Sequence, residues 1–443
     1  MGCCMNSEPV PTPTLRELIR VFARIGCLSF GGPAGQIALM HREIVDDRRW
    51  VDEGQYLRAL NFCHLLPGPE AQQLATWIGW KLHGARGGLA AGMLFVLPGA
   101  LVMLALSLLY VAVSGAHWFS ALFLGIKAAV LALVVQALTR MAGRALKTGF
   151  SRWLAVAAFI GLFIFNLPFP LIVLGAGAIG IFVTSWRPSL LHVHAPETPT
   201  LTPAISLWTT TWRTIALWLV IWATPVVAIL LWLGPDHVLF QIAGFFSKLA
   251  VMTFGGAYAV LAYMAQEAVQ HWQWLAPGEM GDGLGLAETT PGPLIMVTQF
   301  VGFLAAWRAP DPFSPLLAGV LGATITTWVT FAPCFMWIFT FAPWMERLEH
   351  ARRLQGGLAA VTAAVVGVIA NLALWFALHV LFAQETKIAI GPLHMAVPKL
   401  SSLDMAALGL ALLAGVLLFW RKTGVVTVLT ICGLSGLGLK LIV

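Results

Sequence analysis

The chain has 443 residues, of which 59% are hydrophobic and only 10% charged, with a formal net charge of +7. A soluble domain carries about 25% charged residues, so a soluble enzyme is excluded. The basic residues are scattered between apolar runs and gathered in loops, which argues against a nucleic-acid binder and for an integral membrane protein in a lipid bilayer, as do 19 tryptophans.

In chain order, residues 1–14 read as a polar, Pro-rich disordered tail without a cleavable signal. Gly2 resembles a myristoylation start, but Asn6 stands where that pattern needs Ser or Thr. Apolar runs follow at 15–40, 57–80, 88–113, 117–138, 153–168 and 170–186, and form a first repeat over 15–186. A polar linker, 187–212, carries Pro188, Pro196, Pro199 and Pro203, and a connector span covers 213–233. The second repeat, 243–443, holds runs at 243–265, 284–307, 313–341, 357–382, 403–420 and 424–442. At about 20 residues per span, these runs predict an all-α membrane protein of about thirteen transmembrane helices. The weakest spans are 153–168 and 170–186, which also suit a hairpin that does not fully cross. The six cysteines lack metal-ligand spacing, and His192 and His194 read as a solvated loop, so no metal is expected.

Loop charge orients the chain. Arg140, Arg144, Lys147 and Arg152 form the strongest basic loop and are placed in the cytoplasm. Counting spans from there puts the N-terminus inside and the C-terminus outside. One loop dissents: 41–58 falls outside yet carries Arg42, Arg48, Arg49 and Arg58.

The halves are copies. Phe30-Gly31-Gly32 recurs as Phe254-Gly255-Gly256, 224 positions later. The same offset carries Pro67-Gly68-Pro69 onto Pro291-Gly292-Pro293, Ser29 onto Thr253, Glu43 onto Glu267, Trp50 onto Trp274 and Arg24 onto Lys248. An ungapped offset over such a stretch marks a duplication. The connector makes the span count between halves odd, so the halves form an inverted repeat, as in secondary transporters.

Two motifs break helices at matched places. Gly31-Gly32-Pro33, and Gly255-Gly256 before Ala257, interrupt a membrane segment, which survives there only where it is buried or lines a wet cavity. Amides freed at a restarting helix bind anions. The prolines Pro67, Pro69, Pro291 and Pro293 stop and restart a second helix around Gly68 and Gly292, with His64 and Glu70 beside one copy and Glu288, Thr289 and Thr290 beside the other. Arg24 and Lys248 each sit six residues before their Phe-Gly-Gly motif. Arg24 is then roughly 13 Å into its span at 1.5 Å per residue. A cation at that depth is costly and normally has a task. Two such cations, the Ser29 and Thr253 hydroxyls and the glycine amides could neutralise and bind a dianion. Lys127 lies at similar depth but has no match, Ala359 standing opposite.

These motifs resemble those of the chromate ion transporter family. The resemblance rests on Phe30-Gly31-Gly32-Pro33 followed by Trp50, on Leu66-Pro67-Gly68-Pro69, and on the degenerate copies starting at Phe254 and Pro291. It covers nearly the whole chain beyond the tail and points to the long-chain, two-domain members. It implies a bacterial inner-membrane protein that exports chromate and confers resistance. Ala257 in place of a second Pro33, and Gly35-Gln36 where a polar or histidine residue is expected, depart from the pattern. Expected partners are chromate, sulfate as its tetrahedral analogue, and, as an option, a second copy in a homodimer.

The leading reading is a secondary active transporter working by alternating access. A sulfate or other oxyanion carrier is the alternative in the same class; an anion channel or a membrane-embedded reductase is the alternative outside it. With no dinucleotide fingerprint, ligand cluster or P-loop in the sequence, neither a cofactor nor direct ATP drive is expected. Glu43, His64, Glu70, Glu267 and Glu288 are the candidates for coupling to protons.

Overall fold

The structure is a computed structural model that describes residues 13–30, 32–191, 205–254, 257–349, 351–390 and 393–442. Most of the tail, linker residues 192–204 with His192 and His194, and Gly31, Gly255 and Gly256 lie outside the described residues.

α1 (Leu15–Leu28) starts under Thr14, whose hydroxyl accepts the Glu17 N–H, and ends at Ser29. α2 (Gly32–His41) restarts beyond the Gly-Gly-Pro break and leads into a π-helical turn, Arg42–Asp47. α3 (Glu53–Leu65), capped by Asp52, runs into the Pro-Gly-Pro break, and α4 (Glu70–Val113) restarts behind it. α4 is itself broken at His83 and at Gly84, whose φ of 61° suits glycine. Its first arm folds back on its second, bringing Gly79 against Gly87 and Ala91, and Thr76 against Gly92. α5 (His117–Ala145), α6 (Gly149–Phe163) and α7 (Phe169–Trp186) follow, and α8 (Ile205–Leu233) is the connector.

The second repeat repeats the plan. α9 (Val238–Met252) and α10 (Ala257–Gln266) flank the second Gly-Gly break, and α10 again leads into a π-helical turn, Glu267–His271. α11 (Pro277–Thr289) and α12 (Val297–Arg308) flank the second Pro-Gly-Pro. α13 (Pro315–Phe341), the short α14 (Met345–Glu349), α15 (Arg352–Leu381), α16 (Met405–Gly415) and α17 (Val425–Ile442) complete it. An antiparallel hairpin of β1 (Glu385–Ile390) and β2 (Leu393–Pro398) sits between α15 and α16, in a stretch assigned to no apolar run. Six helices are long and apolar enough to cross a membrane, those at Glu70–Val113, Trp118–Ala145, Phe169–Trp186, Trp208–Leu233, Pro315–Trp344 and Arg352–Leu381, and shorter apolar helices accompany them. The protein is a multi-pass, helical membrane protein with Gly/Pro-broken helices.

The crossings are distributed differently from the sequence expectation. Arg24 of α1 lies 3.8 Å from Glu43, beyond α2. In one through-running helix, 19 positions would separate them by about 28 Å. Glu279 of α11 meets Arg308 of α12 at 2.6 Å, and the Phe245 and Tyr263 rings of α9 and α10 are 5.9 Å apart. Each pair therefore doubles back at its break. The matching pair, α3 with the first arm of α4, is placed likewise, with α3 reaching α14 beyond the end of α13. The runs 15–40, 57–80, 243–265 and 284–307 are thus folded hairpins. Among the described residues nine helices lie outside these hairpins, the second arm of α4, α5 to α8, α13, and α15 to α17, and six of them are long and apolar enough to cross a membrane. An apolar run satisfies the length of a span whether it crosses or folds back.

The repeats interlock by a pseudo-twofold. Gly180 of α7 lies on Gly356 and Ala360 of α15, while Gly436 of α17 lies on Ala121 and Gly125 of α5. Such small-residue contacts let membrane helices approach closely. This register places Thr362, rather than Ala359, opposite Lys127. The breaks cross over as well: the Gly292 N–H donates to the Ser29 carbonyl at 3.0 Å, and the Gly68 N–H to the Thr253 carbonyl at 2.8 Å. Gly68 and Gly292 have φ of 123° and 90°, so the crossover depends on glycine at both places.

Candidate substrate cavity

The four breaks converge on a cavity of about 130 Å³. One wall is the start of α2, residues Gly32, Pro33 and Ala34. Glu70 at the start of α4, Tyr258 in the first turn of α10 and Glu288 near the end of α11 form others. α5 supplies the rest of the polar lining: Gln136, Arg140 and Arg144, spaced by four and so on one helical face. Ile369 of α15 and Val425 of α17 close the apolar side.

The chemistry of this lining is cationic with two carboxylates. Arg140 and Arg144 offer planar, permanently charged forks suited to a tetrahedral oxyanion. The restarting ends of α2 and α10 add first-turn amides that no helical carbonyl takes up. Glu288 is buried, and its carboxylate accepts the Tyr258 hydroxyl proton at 2.7 Å. With Glu70, it balances the arginine charge.

The other residues singled out from the sequence are placed as follows. The Ser29 and Thr253 hydroxyls are buried and donate back to Ile25 and Leu249 at 2.6 and 2.7 Å. Thr289 and Thr290 donate likewise to Leu286 and Ala287. The Gly68 and Gly292 amides are spent on the crossover bonds, and Pro67, Pro69, Pro291 and Pro293 shape the turns around them. Gln36 donates to both the Ser29 and Gly292 carbonyls and so braces the crossover. Arg24 is exposed over 61% of its side chain and pairs with buried Glu43, which Arg48 also binds. Lys248 is exposed on α9, His64 on α3, and Glu267 is half-buried in its π-helical turn. None of Arg24, Lys248, Glu43, His64 and Glu267 lines the cavity. Lys127 is committed elsewhere: its ammonium lies 3.1 Å from Asp282, whose other oxygen accepts the Tyr110 hydroxyl at 2.9 Å.

Arg140, Arg144 and Tyr258 were not among the sequence-derived site residues. In the sequence the arginines stand near a run's end, where basic residues orient a membrane chain. Their spacing of four with Gln136 was the available signal.

A duplicated bundle of broken helices around a charged cavity defines a membrane transporter rather than an enzyme. The family model described as Chromate transporter matches residues 16–181 and 240–437, once per repeat, and the chain belongs to that family. It is 33% identical to a chromate transport protein of Pseudomonas aeruginosa over 97% of this chain and 94% of that one. It is 27% identical to a probable chromate transport protein of Synechococcus elongatus, over 82% and 84% of the two chains. A chromate transport protein of Cupriavidus metallidurans is 27% identical over 81% and 82%. No solved structure matches the chain.

Proposed function

We propose that the protein is a secondary active transporter that exports chromate across a bacterial inner membrane and so confers resistance. The observation that carries this reading is the convergence of Arg140, Arg144 and two restarting helix ends on one cavity at the pseudo-twofold crossing of the repeats. Chromate is a tetrahedral dianion, so two guanidinium groups match its charge and helix-end amides match its peripheral oxygens. Glu70 and Glu288 offset the arginine charge in the same lining and are the two coupling candidates at the site. Arg24 and Lys248, outside the lining, set the potential on the approach.

The folded hairpins also bear on orientation. With α1 and α2 doubling back, 41–58 returns to the side of the N-terminus. Arg42, Arg48, Arg49 and Arg58 then obey the positive-inside rule. Nine crossings, like thirteen, keep the N-terminus cytoplasmic and the C-terminus outside.

None of these groups reads the metal centre of chromate, so sulfate should compete for the same cavity. Proteoliposomes carrying the protein test the reading through radiolabelled chromate flux under imposed voltage and pH gradients. Saturable flux inhibited by sulfate supports it; no chromate flux in any gradient refutes it.

A further inference from the structure

α3 and α11 are the same helix in two copies, but their matched faces have different environments. On α11, Gly281, Asp282, Gly285 and Glu288 form one buried face turned to α5. A Cβ at Gly285 would stand 2.2 Å from the Ile126 side chain, and one at Gly281 would stand 3.2 Å from that of Lys127. At the 224 offset, α3 carries Leu57, Arg58, Asn61 and His64, and all four are exposed. Arg58 lies near the loop end of α3, and a membrane-embedded segment does not turn residues such as Asn61 and His64, deeper along it, to lipid. The polar face of α3 therefore borders water or a surface that covers it at another stage of the cycle.

The pseudo-twofold names that covering surface. α5 covers α11, so its counterpart α15 is the surface that fits α3, with Thr362 opposite Leu57 as Lys127 is opposite Gly281. What differs is the fastening. Tyr110 of α4, Lys127 of α5 and Asp282 of α11 tie three elements together on the closed side. The counterparts of Lys127 and Asp282 are Thr362 and Arg58, which cannot form an ion pair. We propose that the exposed face of α3 is the open entrance to the cavity, held open because the Tyr110–Lys127–Asp282 cluster latches the opposite entrance. When that latch parts, α11 leaves α5 and α3 closes on α15. The two repeats thus exchange conformations. Arg58 then faces the entering anion in the present state. This inference rests on the transporter reading of the cavity.

Two measurements test it on the full-length protein in proteoliposomes, beside the chromate flux that tests the reading itself. The first compares hydrogen exchange of 53–65 and 277–289 in the wild type and in Asp282→Asn. Releasing the latch should speed exchange in 277–289 and slow it in 53–65, each by about fivefold or more, the low end of ordinary coupling energies. The second places cysteines at Leu57 and Thr362 in a variant lacking the six native cysteines. Oxidation should join them, more completely with Asp282→Asn, and should stop transport until reductant is added. If 277–289 loosens while 53–65 does not change, the exchange of conformations is refuted. A cysteine pair that stays unjoined in a protein still moving chromate refutes it too. Absence of chromate flux in the wild type fails the transporter reading instead, whatever the exchange data show.

Discussion

α5 and α15 occupy matched places around the pseudo-twofold, and each carries a helix of the other repeat on a small-residue seam. Their polar positions differ completely. Where α5 has Gln136, Arg140 and Arg144, α15 has Asn371, Trp375 and His379, the last two with rings 4.2 Å apart. Duplication copied the backbone plan, its breaks and its crossover bonds, while the charge was kept on one helix. A dianion site made by symmetric cations, as Arg24 and Lys248 suggested, would lie on the axis. The cavity instead takes both of its arginines from α5, so a single anion there would meet a single cluster of positive charge.

The largest expected effect concerns the scaffold on the α5 side. Lys127→Met leaves the buried Asp282 carboxylate without its cation, which costs about 3–5 kcal/mol. The matched Thr362→Val on α15 should cost under about 1 kcal/mol. Denaturant unfolding in detergent measures both; equal losses would remove the asymmetry between the helices.

Next comes ligand binding. Arg140→Gln should weaken chromate binding by about 1.5–3 kcal/mol, the value of a hydrogen bond to a charged group, or roughly ten- to a hundredfold in Kd. Trp375→Phe should leave the affinity within twofold of wild type. Isothermal titration with chromate decides between a one-sided and a two-sided site.

The crossover gives a smaller contrast. A Cβ on Gly99 would stand 2.5 Å from the Pro291 carbonyl, and backbone there yields little. Gly99→Ala should therefore cost about 1–3 kcal/mol. Its counterpart in α13, Cys334, already carries a side chain against Gly68, so Cys334→Ala should be milder. Thermal unfolding of the two variants reads this directly.

The smallest effects should come from Ser29→Ala and Thr253→Ala. Both hydroxyls are bonded to their own helices, a contact that adds little to helix stability. Chromate affinity should change by less than about 0.5 kcal/mol. A tenfold loss in either variant would make that hydroxyl a ligand in a state that differs from this one.

What was legible in the sequence is backbone chemistry. Gly-Gly-Pro and Pro-Gly-Pro declare where helices stop, and one offset declares that the stops recur. The fate of the chain after each stop was not legible, because a run such as 284–307 has the composition of a span whether it continues or doubles back. The Glu279–Arg308 pair that shows the doubling joins residues 29 positions apart. Lys127 was visible as a cation at depth, but its partner Asp282 depends on how α11 meets α5. The hydroxyls of Ser29 and Thr253 were visible as polar groups beside a break, but their direction is set by rotamer and helix geometry. Arg140 and Arg144 were visible and assigned to topology; with Gln136 they were also one face of a helix, and only the fold shows that this face meets the breaks.

If the cluster on α5 binds the oxyanion, removing its charge must cost affinity that changes on α15 do not. Equilibrium binding of chromate to purified Arg140→Gln/Arg144→Gln, set beside Trp375→Phe/His379→Gln, tests it most directly. The arginine variant should lose more than about a hundredfold in affinity while remaining folded, since two charge-assisted contacts are removed, and the α15 variant should bind as the wild type does. An arginine variant that binds chromate as tightly as the wild type would contradict it.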